Sequence, residues 1–88
     1  MISKDQLNAI VEAIKTLGLS DETVSKLRQE FKPIHFTYCM DDDLPNNTPI
    51  LENAEFNLYL IDGREHCLCL TQDYDNATGI VVAEVYPD

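Results

Sequence analysis

The chain has 88 residues, 44% of them apolar, and a formal net charge of −10. That length gives one domain over residues 1–88, with one modest core and little room for a large enclosed active site. Residues 1–32 carry five bases and five acids, whereas residues 33–88 carry Arg64 alone against eleven acids. Phosphate contacts need Lys and Arg, so no nucleic-acid partner and no anionic membrane partner is expected.

The N-terminus, MISKDQLNAIVEAIK, sets acids inside its apolar pattern and has no small-residue cleavage site. It does not read as a signal peptide. No apolar run approaches the roughly 20 residues that span a bilayer. The expected compartment is the cytoplasm, where thiols stay reduced.

Residues 1–32 read as a helical pair. Ser3 is an N-cap, and Gln6, three residues on, completes a capping box. Ile2 and Leu7 flank the cap at hydrophobic-staple spacing. Leu7, Ile10, Val11, Ile14 and Leu17 form one helical stripe. Gly18 stops this helix. Ser20 caps the second, with Asp21 and Glu22 at its positive end and Leu19 and Val24 as its staple. Val24, Leu27 and Phe31 make its stripe, and Pro33 closes it.

Residues 33–88 read as strands. Over Pro33–Met40, Ile34, Phe36, Tyr38 and Met40 alternate with His35, Thr37 and Cys39. Asp41–Asn53 reads as a polar loop. Phe56, Leu58 and Leu60 alternate with Asn57, Tyr59 and Ile61, and Asp62-Gly63 signals a tight hairpin. His66–Thr71 is the next strand, Gln72–Gly79 a turn region, and Gly79–Tyr86 the last strand. Short connections favour an α+β, two-layer domain: two N-terminal helices followed by a four-stranded antiparallel meander sheet.

The stretch REHCLCLTQDYD, residues 64–75, raises the question of a metal or redox site. On a strand, Cys67 and Cys69 share a face and His66 takes the other. Two such thiols lie about 6.5–7 Å apart at Cα, at the limit for a disulfide. Zinc sites place their cysteines on turns with two to four residues between them. With Cys39 from a neighbouring strand, Cys39, Cys67 and Cys69 make the alternative metal or thiol-redox set. Buried strand thiols are the plainer reading. A two-residue turn at Asp62-Gly63 sets Leu58 opposite Cys67 and Phe56 opposite Cys69; a bulged turn sets Leu58 opposite His66. The first is favoured because it buries both thiols beside Phe56.

Other signals are weaker. Asp41, Asp43 and Glu52 fall at calcium-loop positions 1, 3 and 12, but Pro45 and Asn46 stand at positions 5 and 6, and the loop needs glycine at 6. His35 and Cys39 share a face about 13 Å apart, too far for a nucleophile and base. No glycine-rich phosphate cradle or oxyanion nest is visible. We expect no enzyme activity and no cofactor.

The segment FNLYLIDGREHCLCLTQDYDNATGIVVAEV, with the short capped helices before it, resembles a small bacterial family of domains of unknown function associated with nitrogen-fixation gene regions. The resemblance implies an accessory role to a metalloenzyme or its assembly and supplies no functional residues. The residues themselves point to a small acidic, non-enzymatic binding protein whose partner has a basic surface. Its expected surface is Asp41, Asp42, Asp43, Tyr59, Asp73 and Asp75. A homodimer through the helical pair is a further expectation.

Overall fold

A computed structural model describes residues 2–44, 47–63 and 69–85. Helix α1 spans Lys4–Leu17 and α2 spans Asp21–Glu30. The strands are β1 (His35–Met40), β2 (Leu51–Glu52), β3 (Phe56–Asp62), β4 (Cys69–Thr71) and β5 (Gly79–Glu84).

The helix grammar is realised closely. The Ser3 hydroxyl accepts from the Gln6 N–H at 3.1 Å, and the Gln6 side chain accepts from the Ser3 N–H at 2.9 Å. Gly18 caps α1 at φ 84°, a left-handed value that glycine adopts without a Cβ penalty. Thr23, buried in α2, closes this corner by donating its hydroxyl to the Gly18 carbonyl, while its N–H donates to the Ser20 hydroxyl. Leu7, Ile10, Val11 and Ile14 are buried as the stripe requires, but Leu17 is 48% exposed. The buried stripe thus ends at Ile14, one turn early.

The meander is corrected. The sheet has five strands and is mixed, in the order β1-β5-β3-β2, with β4 also on β3. β1 and β5 are parallel; β3 is antiparallel to β5 on one side and to β2 and β4 on the other. The physical reason lies in the strands themselves. Gly79–Ala83 is buried without alternation, and so is Leu58–Ile61. Runs buried on both faces belong in the middle of a sheet, and a meander would leave the last strand at an edge.

Asp41–Asn53 is correspondingly more than a polar loop, since it contains a 3-10 turn at Asp41–Asp43 and all of β2. The tight turn at Asp62-Gly63 is also corrected. Asp62 pairs with Cys69, Ile61 with Leu70 and Leu60 with Thr71, so neither expected register forms. The expected residues His66, Cys67 and Leu68 of the third strand, and Tyr86 of the last, lie outside the described residues.

One face of the sheet carries Phe36, Phe56, Leu58, Leu60, Ile80 and Val82, which pack with Ile2, Leu7, Ile10, Ile14, Val24 and Leu27 of the helical layer. This is the main core. The opposite face carries Tyr59, Ile61, Val81 and Ala83, joined by Cys39, Leu44 and Leu70.

That second cluster follows from topology. β1 and β2 lie at opposite edges, three strand spacings or roughly 14 Å apart, so the chain between Met40 and Leu51 crosses the sheet. Leu44 packs on the face away from the helices, and Asp41 bonds to side chains of that face. The crossing thus straps the second face. A second crossing, 72–78, joins β4 to β5 past β3, which lies between them, on the helix side. There Tyr74 and Ala77 enter the main core, and the Tyr74 carbonyl accepts from the Ile2 N–H at 3.0 Å.

Candidate acidic interface

β1, β2 and β5 finish, and β3 begins, at one end of the sheet. Asp41, Asp42 and Asp43 follow β1, Glu52 ends β2, Glu55 precedes β3 and Glu84 ends β5. Topology therefore gathers six of the chain's sixteen acidic residues at this end. Asp42, Asp43, Glu52 and Glu55 are exposed; Asp41 and Glu84 are half-buried.

The two half-buried carboxylates are fixed. Asp41 Oδ1 accepts from the Tyr59 hydroxyl at 2.8 Å and from Asn57 Nδ2 at 3.0 Å. Glu84 Oε1 accepts from the Tyr38 hydroxyl at 2.7 Å. Asn53 holds the turn before β3, its side-chain oxygen accepting from the N–H groups of Glu55 and Phe56 at 2.9 Å each. The acidic end is thus built on hydrogen-bonded turns and strand ends.

Burial and the neighbouring charges move two proton equilibria here. Tyr59 is pushed up to about 12, first by burial, then by its hydrogen bond to Asp41. Cys39 is raised by burial and then by the charges of Asp43 and Asp41. A thiol held protonated in this way is a poor nucleophile.

The structure divides the residues expected to form one surface. Asp41, Asp42 and Asp43 belong to the acidic end. Tyr59 is 3% exposed, so it supports the acidic end from beneath and offers almost no surface of its own. Asp73 and Asp75 sit in the turn before Gly79, at the opposite end of β5, roughly 17 Å away along the strand. Asp73 organises that turn, accepting from the Asp75 N–H at 3.0 Å and from Asn76 Nδ2. Glu52, Glu55 and Glu84 were missed in sequence because they are scattered along the chain. The signal available was their shared position at strand ends.

Cys39 and Cys69 do not converge. Cys39 packs in the second-face cluster on edge strand β1. Cys69 pairs with Asp62, one residue past Ile61, so it lies on the helix side of the sheet at the other edge, and it is exposed. Strand and row spacings separate them by roughly 20 Å. The expected burial of Cys69 beside Phe56 is therefore corrected: with Asp62 as its partner, the thiol lies beyond the end of the core. Cys67 lies outside the described residues. Among the described residues, no three His, Cys, Asp or Glu side chains come together to hold a metal ion. Among them also, no helix is long and apolar enough to cross a membrane.

A family of unknown function, DUF6129, matches residues 6–85. That is nearly the whole chain, and the chain belongs to this family. No curated protein matches it, and no solved structure matches it.

Proposed function

We propose that this member of DUF6129 is a small non-enzymatic accessory protein of the cytoplasm that binds a protein partner through the acidic end of its sheet. The observation that carries the reading is the convergence of Asp41, Asp42, Asp43, Glu52, Glu55 and Glu84 on one end of the sheet, four of them exposed. Such an end steers a basic surface toward it and sets the orientation of docking. The partner's contact surface is accordingly rich in Lys and Arg. The resemblance of FNLYLIDGREHCLCLTQDYDNATGIVVAEV to a family of nitrogen-fixation gene regions, and no feature of the geometry, directs the search for that partner to metalloenzymes and their assembly proteins.

The test is a titration. Proteins retained by the full chain at low salt are identified, and each purified candidate is titrated against wild type, Asp42→Asn/Asp43→Asn/Glu52→Gln/Glu55→Gln and the control Asp73→Asn/Asp75→Asn. Exposed charge pairs contribute roughly 0.2–1 kcal/mol each, so the quadruple variant should lose about 1–3 kcal/mol of affinity and most of the salt dependence. The control should bind as wild type does. Equal losses in the two variants, or affinity indifferent to salt, would remove the acidic end from the interface.

A further inference from the structure

The sharpest departure from the acidic surface lies at the free edge of β1. A concavity of about 430 Å³ is lined there by Arg28, Lys32, Pro33, Ile34, His35 and Phe36. It holds two of the six Lys and Arg of the whole chain, and its floor is apolar, with Ile34 and Phe36 both buried.

The backbone adds a donor. The His35 N–H donates to the Thr78 carbonyl toward β5 at 3.1 Å. In a parallel pair, alternate residues turn their polar groups to the neighbour, so the Phe36 N–H and C=O face the free edge. Arg28 fixes itself against that edge. Its Nε and Nη2 donate to the Phe36 carbonyl at 3.3 and 3.2 Å, which holds the guanidinium at the rim with further N–H groups directed elsewhere. A fixed guanidinium, a lysine ammonium and a strand-edge N–H thus surround an apolar floor.

We propose that this concavity binds a small carboxylate with an apolar body, its anion between Arg28, Lys32 and the Phe36 N–H, and its body on Ile34 and Phe36. The volume suits a small molecule. An added peptide strand fits less well, because Arg28 already occupies the Phe36 carbonyl that the strand's ladder would need. The inference is independent of the acidic end, which lies at the other end of β1.

The experiment uses the full chain, labelled with ¹⁵N, titrated at about 150 mM salt with benzoate, acetate and benzamide. Benzoate should shift the amides of Lys32, Ile34, His35 and Phe36 along one saturating curve. Acetate lacks the apolar body and benzamide lacks the charge, so both should bind more weakly. Lys32→Gln should weaken benzoate about two- to fivefold, the range of an exposed charge. Arg28→Lys should weaken it further while the amide spectrum of β3 stays unchanged, which separates binding from folding. Benzamide binding as tightly as benzoate, acetate binding as tightly, shifts spread over the surface without saturation, or a Lys32→Gln titration identical to wild type would each overturn the proposal.

Discussion

Tyr59 on β3 donates its hydroxyl to Asp41 Oδ1 at 2.8 Å, and this bond fastens the segment crossing the sheet to the face it covers. Asp41 is also held by Asn57, and Leu44, three residues later, packs against the cluster to which Tyr59 belongs. Removing the tyrosine hydroxyl leaves the apolar ring in place and the carboxylate with one donor fewer. A hydrogen bond to a charged group contributes about 1.5–3 kcal/mol, reduced here because Asp41 is only half-buried. Tyr59→Phe and Asp41→Ala should each destabilise the fold by about 1–2 kcal/mol, and the double variant by clearly less than the sum. Urea denaturation of the four proteins measures the coupling. A coupling near zero would mean that the strap is held by Leu44 alone.

Burial of Tyr59, and after it the bond to Asp41, sets an alkaline limit. The folded Tyr59 ionises at about 12, above its ordinary value of 10.0. The folded state therefore keeps a proton that the unfolded chain has already lost. Stability from this group is complete below about pH 10 and falls as pH rises toward about 12. Cys39, raised from 9.0, acts in the same direction from a lower starting pH. Midpoints of urea unfolding measured from pH 8 to 11 should decline, and Tyr59→Phe should decline less steeply than wild type. Parallel declines would assign the alkaline sensitivity to other groups.

Gly79 begins β5 beside His35, its parallel partner. A Cβ at this position would stand 2.9 Å from the His35 carbonyl oxygen and 3.1 Å from its Cβ. Backbone cannot swing aside as a flexible side chain does. Gly79→Ala should cost about 1–3 kcal/mol by overpacking, lowering the melting temperature by roughly 4–8 °C for each kcal/mol. A thermal melt with an unchanged midpoint would show that β1 and β5 part at this end without penalty.

The helical layer was legible because its signals are local. Ser3, Gln6, Gly18 and Ser20 each bond within four residues of their own position, and the sheet does not have to be known. Strand order was not legible in the same way, since pairing β1 with β5 depends on residues more than forty positions apart. Yet two signals were present. GIVVAE and LYLI are apolar without alternation, which marks central strands covered on both faces. Tyr59 and Ile61 then needed a cover, and the polar stretch containing Leu44 supplies it. The same local habit of reading joined Asp73 and Asp75 to Asp41–Asp43 by composition, although β5 holds them at opposite ends.

Of the three cysteines, the two among the described residues, Cys39 and Cys69, differ enough to predict an order of modification. Cys69 is exposed, while Cys39 is partly covered and carries a raised pKa from burial and from Asp43 and Asp41. The thiolate is the reacting form. With iodoacetamide near pH 7.5, Cys69 should be alkylated severalfold faster than Cys39, as read by peptide mass after timed quenching. Asp43→Asn should speed Cys39 without altering Cys69. Equal rates in wild type would place Cys39 outside the strap's cover.

The acidic end has a consequence for the protein's own stability. Six carboxylates at one end of a small sheet repel one another, and Lys15 shares a concavity with Glu55 and Phe56. A surface kept for binding commonly holds the fold below its optimum stability. Neutralising Asp42, Asp43, Glu52 and Glu55 to their amides removes no hydrogen bond that holds Asp41 or Glu84, so the change should report repulsion. At about 10 mM salt, where screening extends over roughly 30 Å, this variant should be more stable than wild type by about 1 kcal/mol. Near 1 M salt, where the screening length is about 3 Å, the advantage should vanish. Thermal melts across that series decide the matter. A variant less stable than wild type at low salt would mean that the four carboxylates hold the strand ends together, and their convergence would then be a structural device with no need of a partner.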